Sequence, residues 1–360
     1  MRTRYQRWMF DWETRLTMRD TNRVVRSLDW GLEWTKAWPV SINGAVNPVA
    51  EPERYLSTLS RAIVAESDRF YSYTRPTDFR LEQRIPPAKP GQTPEPKPAT
   101  FLRFTSPVQT PYPENNLVNA RWFPARGRRA VVVFPQWNSD AESHNALCRI
   151  FNFLGIAALR LSMPYHDVRM PPELERADYA VSSNIGRTID STRQAVVDAR
   201  CCLDWLESQG YTELGLMGTS LGSCYAFITA AHDHRVKVCA YNHASTYFGD
   251  VVWTGQSTRH IRAGIEGELT QDRLRELWLG ISPMSYFDHY QRHSKKSLVI
   301  YATYDLTFLP EFSRLIVEEF KRRSENFRVC ILPCGHYTTG ETPYKYLCAF
   351  HLARFLSSAF

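Results

Sequence analysis

The sequence Glu213-Leu-Gly-Leu-Met-Gly-Thr-Ser-Leu-Gly222 predicts a short apolar strand that runs through a tight glycine turn directly into a helix. Its last five residues have the spacing G-x-S-x-G, with Ser220 at the centre. Such a sharp turn exposes the serine hydroxyl above the sheet, and glycines are required on both sides because side chains there would clash with neighbouring backbone. The helix that follows, Leu221 to about His232, directs free N–H groups towards the same point. This stretch therefore predicts a nucleophilic serine.

Strand and helix patterns alternate on both sides of this turn. The predicted strands are 101–104, 117–123, 130–134, 156–161, 213–217, 236–241, 297–303 and 327–332. The predicted helices are about 143–154, 189–208, 221–232 and 344–356. The run Ala130–Phe134 is continuously apolar, which is typical of a buried strand in a parallel sheet. The fold class is therefore α/β, with a doubly wound, mostly parallel sheet.

A nucleophilic serine needs a base, and the base needs an orienting acid. Asp305 follows the strand 297–303, and His336 follows the strand 327–332 in the sequence Gly335-His336. Both residues are predicted on loops at the carboxyl ends of parallel strands, where Ser220 also lies. We expect Ser220 to attack, His336 to act as base and then acid, and Asp305 to hold the imidazolium. Taken singly, Asp305 could instead be a turn carboxylate, His336 a hydrogen-bonded loop histidine, and Ser220 a structural turn residue of an idle site.

The pentapeptide, its strand and helix, and the order Ser, Asp, His together resemble the α/β-hydrolase superfamily over about residues 100–360. The likeness is to members of the abhydrolase group and, more loosely, to dienelactone hydrolases and prolyl-oligopeptidase-like domains. The resemblance implies an α/β-hydrolase fold that needs no cofactor and no metal. A cysteine nucleophile is not offered at the turn, so the likeness to dienelactone hydrolases concerns the fold.

An oxyanion hole is expected from the N–H of Leu221 and a second N–H in the loop after strand 130–134. Many members of the superfamily have His-Gly-x there, whereas this chain has Pro135-Gln136-Trp137-Asn138. A backbone N–H has no side-chain requirement, so Trp137 or Gln136 can donate. The bulk of Trp137 is expected to narrow the acyl pocket, and Asn138 is either a brace for the loop or a turn former.

Four further side chains are candidates to line the substrate. Tyr165 and His166 begin a long excursion after strand 156–161, and His243 follows strand 236–241, where a structural role is the alternative. The neighbouring Asp167 and Arg169 are expected to form an ion pair. The fourth candidate, Trp253, belongs to an insertion at about 244–285.

The insertion follows the sixth predicted strand, where α/β-hydrolases commonly carry a helical cap. It is rich in apolar and aromatic side chains, which predicts a substrate with an apolar or aromatic part. The alternative is that many of these side chains only pack the cap onto the body.

Residues 1–98 are predicted to form a helical extension that ends in a proline-rich connector at 85–98, and residues 99–360 the catalytic domain. Helices are expected within 1–40 and 50–73. The tryptophans near the N-terminus predict a helix packed on the domain, with contact to a membrane surface as the less favoured alternative.

The chain has 360 residues and a formal net charge of +7 that is scattered rather than clustered, so no nucleic-acid stripe is predicted. Eight cysteines at irregular spacings, with no leader pattern or long apolar run, favour reduced thiols and a cytoplasmic location. A zinc cluster of Cys330, Cys334 and His336 is the disfavoured alternative, since no fourth ligand has suitable spacing. The oligomeric state is not predictable.

The sequence therefore predicts a serine hydrolase that cleaves a carboxylic ester or thioester of a small molecule through an acyl-enzyme. A peptidase of the prolyl-oligopeptidase-like type is one alternative, although no paired-glutamate motif for a peptide amine is present. A catalytically idle binding or scaffold protein with this fold is the other.

Overall fold

The valine-rich segment Arg129–Phe134 lies in the middle of the sheet, as its unbroken apolar run requires. The structure, a computed structural model, describes residues 3–42, 44, 46–85, 98–323 and 325–360. The strands are β1 (Arg80–Arg84), β2 (Ala99–Thr105), β3 (Leu117–Phe123), β4 (Arg129–Phe134), β5 (Ala157–Leu161), β6 (Glu213–Thr219), β7 (Val236–Asn242), β8 (Lys296–Ala302) and β9 (Phe327–Leu332). Among the described residues they form a nine-stranded sheet with the order β1-β2-β3-β5-β4-β6-β7-β8-β9.

The helices follow the strands in alternation from β4 onwards. They are α1 (Arg4–Thr17), α2 (Pro52–Ala65), α3 (Ser67–Phe70), α4 (Asn145–Phe153), α5 (Ile185–Ser208), α6 (Leu221–His232), α7 (Phe248–Thr254), α8 (Arg259–Ile265), α9 (Gln271–Leu277), α10 (Phe287–Gln291), α11 (Pro310–Arg322) and α12 (Tyr344–Ala359).

The sheet is parallel from β5 through β4 to β9, and antiparallel from β1 through β3 to β5. Alternate residues of β4 enter different cores, Val132 on one face and Val131 and Val133 on the other. The first core includes α5 and α6, and the second includes α4 and α12. Helices on both faces confirm the predicted doubly wound sheet.

The N-terminal residues differ from the predicted continuous helices. Helix α1 ends at Thr17, and the chain then runs without helix to a short 3₁₀ turn at Trp34–Ala37. Trp34 and Trp38 are buried, whereas Trp8 on α1 is 46% exposed. Most of the predicted connector, residues 86–97, lies outside the described residues. Within the described part of the chain, no helix combines the length and apolar character needed to cross a bilayer.

Strand β1 comes from the segment that we predicted to be a helical extension. It pairs antiparallel with β2 at the edge of the sheet, although its sequence Arg-Leu-Glu-Gln-Arg has no apolar alternation. An edge strand exposed on both faces carries no such pattern, and charged side chains protect such an edge from pairing with another chain. The extension is therefore part of the sheet as well as a set of helices.

The predicted cap corresponds to the residues between β7 and α10. Helices α7, α8 and α9 lie there, together with 3₁₀ turns. Gly249 of α7 packs so closely on α9 that a Cβ would lie 2.8 Å from the Arg275 nitrogen. An ion pair between Asp250 and Arg275, 2.9 Å, joins the same two helices. The cap is therefore firmly packed.

Gly222, two residues after Ser220, is tightly enclosed by backbone. A Cβ on Gly222 would lie 2.4 Å from the carbonyl oxygen of Pro135 and 2.5 Å from that of Phe134. We expect Gly222→Ala to lower the free energy of unfolding by about 3 kcal/mol, because neither backbone oxygen can move far. Gly267→Ala is the matched control, since nothing lies within 4 Å of that position; its effect should stay within about 0.5 kcal/mol. Urea unfolding of both variants measures the difference, and equal stabilities would contradict the steric argument.

Candidate active site

Ser220 lies at the sharp turn between β6 and α6, with φ 56° and ψ −122°. These angles are unfavourable for a residue with a side chain. Gly218 makes the turn possible because a Cβ there would lie 2.2 Å from the carbonyl oxygen of Gly222. The Ser220 N–H donates to the carbonyl of Asn242, 2.8 Å, which ties the turn to β7. The predicted role of the two glycines is confirmed.

The structure brings the three predicted residues together at the carboxyl edge of the sheet. Nε2 of His336 lies 2.8 Å from Oγ of Ser220, and Nδ1 of His336 lies 2.8 Å from Oδ2 of Asp305. A carboxylate only accepts hydrogen bonds, so the Nδ1 proton of His336 donates to Asp305. Nε2 is then free to accept from the Ser220 hydroxyl. This is the tautomer that a general base for the serine requires.

Asp305 holds a second imidazole that the sequence did not assign to it. Nδ1 of His243 lies 2.9 Å from the same Oδ2, and the rings of His243 and His336 have centroids 4.3 Å apart. The other oxygen of Asp305, Oδ1, accepts from the N–H groups of Thr307 and Phe308 at 2.8 and 2.7 Å. Nε2 of His243 is buried with no hydrogen-bond partner among the described residues. His243 therefore orients Asp305 and lines the same cavity as Ser220.

Charges around this cluster set the pKa values of its members. Burial lowers the pKa of His336. The charge of Asp305, its hydrogen bond and the charge of Glu13 together raise this pKa by more than burial lowers it, so the net shift is upward. Burial and the neighbouring His336 hold the pKa of His243 below its usual value. Burial opposes ionisation of Asp305, yet the charge of His336 and hydrogen bonds from both imidazoles keep its pKa well below the usual range. His336 is thus the more basic of the two imidazoles.

The loop after β4 approaches the turn from the other side. Within the described part of the chain, the backbone N–H groups of Gln136, Trp137 and Leu221 make no hydrogen bond. Asn138 takes a positive φ of 57°, and its N–H donates to Nε2 of His166, 3.0 Å. Its side-chain oxygen accepts from the Ala177 N–H, 2.8 Å. Asn138 therefore does both things that the sequence left open: it lies in the turn closed by the Ser139 N–H and the Gln136 carbonyl, 3.1 Å, and it braces the loop.

His166 supports this loop from beneath. Its Nδ1 lies 2.8 Å from the Pro164 carbonyl and donates to it, so Nε2 is the acceptor for Asn138. Burial lowers the pKa of His166 to about 4, which keeps the ring neutral in this role. The indole N–H of Trp137 donates to the Ala177 carbonyl, 2.9 Å, and its ring stacks on His260. Hydrogen bonds at both Trp137 and Asn138 therefore fix the loop after β4.

Solved structures share this architecture at low sequence identity. Acetyl xylan esterase 1 from a Thermoanaerobacterium species superposes with a TM-score of 0.56 at 13% identity, over 92% of this chain and 100% of that one. An acetyl xylan esterase from Paenibacillus sp. R4 gives 0.55 at 12% identity, over 90% and 98% of the two chains. Acylaminoacyl peptidase from Pyrococcus horikoshii gives 0.53 at 10% identity, over 78% of this chain and 48% of that one.

The chain has an α/β-hydrolase fold. The predicted fold class is therefore confirmed, together with its cap after the sixth predicted strand. Neither a protein-family model nor a curated protein sequence matches the chain. At these identities the likeness concerns the fold and not the substrate.

Two of the substrate-lining predictions are wrong. Tyr165 is fully buried in the core, in edge-to-face contact with Tyr112 and Tyr179. Trp253 packs at the surface of the cap beneath Arg262 and lines neither cavity at Ser220. The predicted pair of Asp167 with Arg169 does not form. Asp167 instead pairs with Arg160, and Arg169 with Asp198 of α5 at 2.8 Å.

Metal-ligating side chains also meet at two places among the described residues. One group is His243, Asp305 and His336, and the other is Asp68, His232 and His289. In the first group hydrogen bonds already fix the ligand atoms, as described above. The disfavoured zinc cluster at Cys330, Cys334 and His336 is not among the groups of the described residues that could hold an ion.

Glu13 of helix α1 is the residue at this site that the sequence did not reveal. Its carboxylate is fully buried and accepts from the N–H groups of Tyr337 and Thr338 at 2.8 and 2.9 Å. A Cβ on Gly335 would lie 2.4 Å from its Oε2, so the glycine before His336 is needed for this approach. An acid more than 300 residues away in the sequence thus anchors the His336 loop. No local pattern could have indicated it.

The pH profile of any hydrolysis should report His336. A base must be neutral, so kcat/KM should rise with pH through a midpoint above the ordinary histidine value of about 6.5. Glu13→Gln removes a negative charge that raises the pKa of His336, so the midpoint should move to lower pH. Glu266→Gln on the exposed surface is the control and should leave it in place. An unchanged midpoint in Glu13→Gln would contradict the electrostatic role of Glu13.

Proposed function

We propose that the protein is a serine hydrolase that cleaves a carboxylic ester or thioester through an acyl-enzyme intermediate. The observation that carries this proposal is the chain of hydrogen bonds from Ser220 through His336 to Asp305, with 2.8 Å at each step. The serine stands at a strained turn, where steric strain serves exposure of the nucleophile.

Catalysis then follows from the positions of these atoms. Ser220 Oγ attacks the acyl carbon while Nε2 of His336 takes its proton, and Asp305 stabilises the imidazolium. The carbonyl oxygen becomes an oxyanion, for which the N–H of Leu221 and that of Trp137 or Gln136 are the donors. His336 gives the proton to the leaving oxygen or sulfur as that bond breaks. Water then attacks the acyl-enzyme with His336 as base, which releases the acid and restores Ser220.

Support for an active site rather than an idle scaffold comes from the protonation states. His336 is held in the tautomer that accepts from Ser220, and the pKa of Asp305 keeps that residue ionised. The oxyanion loop departs from the usual sequence, but its candidate donor groups have no acceptor among the described residues. These groups are therefore available to an oxyanion. We further propose a soluble cytoplasmic enzyme whose residues 99–360 form the catalytic domain.

A fluorophosphonate probe tests the proposal directly. We expect rapid labelling at Ser220, located by mass spectrometry, and none at that site in Ser220→Ala. Wild-type protein should also turn over aryl esters faster than the matching aryl amides. Failure of folded wild-type protein to react with the probe would contradict the proposal, and turnover confined to amides would favour a peptidase.

A further inference from the structure

Two cavities meet at Ser220 and differ greatly in size. The larger, which we call the large cleft, has a volume of about 1030 Å³, and the smaller, which we call the acyl cavity, about 40 Å³. Ser220 and Trp137 line both. The acyl chain and the leaving group of a substrate bound at Ser220 thus have two cavities of different size open to them.

The position of His336 decides which cavity takes the leaving group and which takes the acyl chain. The base returns its proton to the leaving group, so the leaving group must lie on the side of His336. His336 lines the large cleft and is absent from the walls of the acyl cavity. Leu221, whose N–H is a candidate oxyanion donor, lines the acyl cavity only. The acyl chain therefore points into the small cavity under the cap.

The acyl cavity is apolar and small. Its main apolar walls are Val181, Leu221, Phe248, Val251, Val252 and Phe308. One water-sized group needs about 10–15 Å³ of such volume, so about 40 Å³ holds three or four groups. Because the close contact of Gly249 with α9 fixes helix α7, the cavity cannot widen easily.

The large cleft differs from the acyl cavity mainly in its size. Apolar side chains, among them Leu147, Ile150, Met170 and Leu352, make up most of its lining, and charged side chains such as Asp20, Glu175, Arg176 and Lys345 contribute part of the rest. These side chains come from the N-terminal segment, helices α4 and α12 and the long loop after β5. A cleft of this size accommodates a leaving group far bulkier than the acyl chain.

Resting on the proposed function, we infer that the substrates are esters of short-chain acids, of about two to four carbons, with a bulky alcohol. This inference narrows the expectation of an apolar or aromatic part to a short apolar acyl chain, since three apolar side chains of the cap, all on α7, line the acyl cavity.

The test compares p-nitrophenyl acetate, butyrate and octanoate. Wild-type kcat/KM should be at least about 100-fold lower for octanoate than for butyrate, because each misplaced methylene costs about tenfold or more. Phe248→Ala and Val252→Ala enlarge the cavity and should each reduce this ratio about tenfold or more. Val236→Ala is the matched control, since this buried valine lies at the amino end of β7, whereas Ser220 lies at the carboxyl ends of the strands. The octanoate-to-butyrate ratio of this variant should equal that of the wild type.

A second comparison tests the leaving group. Cyclohexylmethyl butyrate should be hydrolysed with a higher kcat/KM than ethyl butyrate, because only the bulky alcohol makes extensive contact with the large cleft. Preference of the wild type for octanoate, an unchanged ratio in both cavity variants, or preference for ethyl butyrate would each overturn the inference while the hydrolase assignment stands. Absence of both ester hydrolysis and fluorophosphonate labelling would overturn the two together. If Phe248→Ala does not fold, Val252→Ala carries the test.

Discussion

Ser220→Gly should abolish hydrolysis and at the same time give a more stable protein than Ser220→Ala. Both changes remove the nucleophile, and kcat should fall by about 10⁴–10⁶-fold in each. Only glycine adopts φ 56°, ψ −122° without strain. Strain of this kind costs about 1–3 kcal/mol, and the extra freedom of glycine in the unfolded chain returns about 0.5–1 kcal/mol. The net difference between the two variants should be about 1 kcal/mol in favour of glycine.

The comparison between the two variants is well matched because both lose the same hydrogen bond to His336. Activity is measured with p-nitrophenyl butyrate, and stability by urea unfolding of each variant in the same buffer. Equal stabilities would mean that the backbone at 220 relaxes in solution. Residual activity above about 1% in either variant would assign the chemistry to another group.

The steric demand of the serine turn is the part of this molecule that the sequence predicts best. Glycines at 218 and 222 have one physical explanation, which the close contacts with Gly222 and Pro135 bear out. The strands also follow from composition, because a buried parallel strand such as β4 must be apolar on both faces. Strand β1 was missed for the opposite reason, since an edge strand exposed to water carries no apolar pattern.

Contacts between distant segments set the rest of the site and leave no local signal. Glu13 reaches the His336 loop from the N-terminal helix, and its burial could not be read from an acid in a charged, polar segment. His243 lies at the expected edge of the sheet, but its bond to Asp305 depends on the register of β7 and β8. Tyr165 occupies the expected loop, but its ring packs in the core against Tyr112 and Tyr179, contacts that no local pattern indicates.

Asp305→Asn should lower kcat/KM by about 10⁴-fold while the protein stays folded. The amide oxygen can still accept from the N–H groups of Thr307 and Phe308, so the loop should keep its shape. The amide nitrogen then faces Nδ1 of both His336 and His243, and it donates where the carboxylate accepted. His336 must respond by moving its proton to Nε2. In that tautomer Nε2 meets the Ser220 hydroxyl as a donor and cannot act as its base.

The same change acts on His243, which makes stability a separate measurement. A proton moved to Nε2 of His243 would be buried with no acceptor among the described residues, a loss of about 1–3 kcal/mol. Assays at a temperature well below the thermal unfolding midpoint of the variant therefore isolate the catalytic effect. Asp272→Asn, with a side chain 86% exposed, controls for the substitution itself. Fluorophosphonate labelling of Ser220 should slow in parallel with kcat/KM. Full labelling and full turnover in folded Asp305→Asn would show that Asp305 does not orient the base.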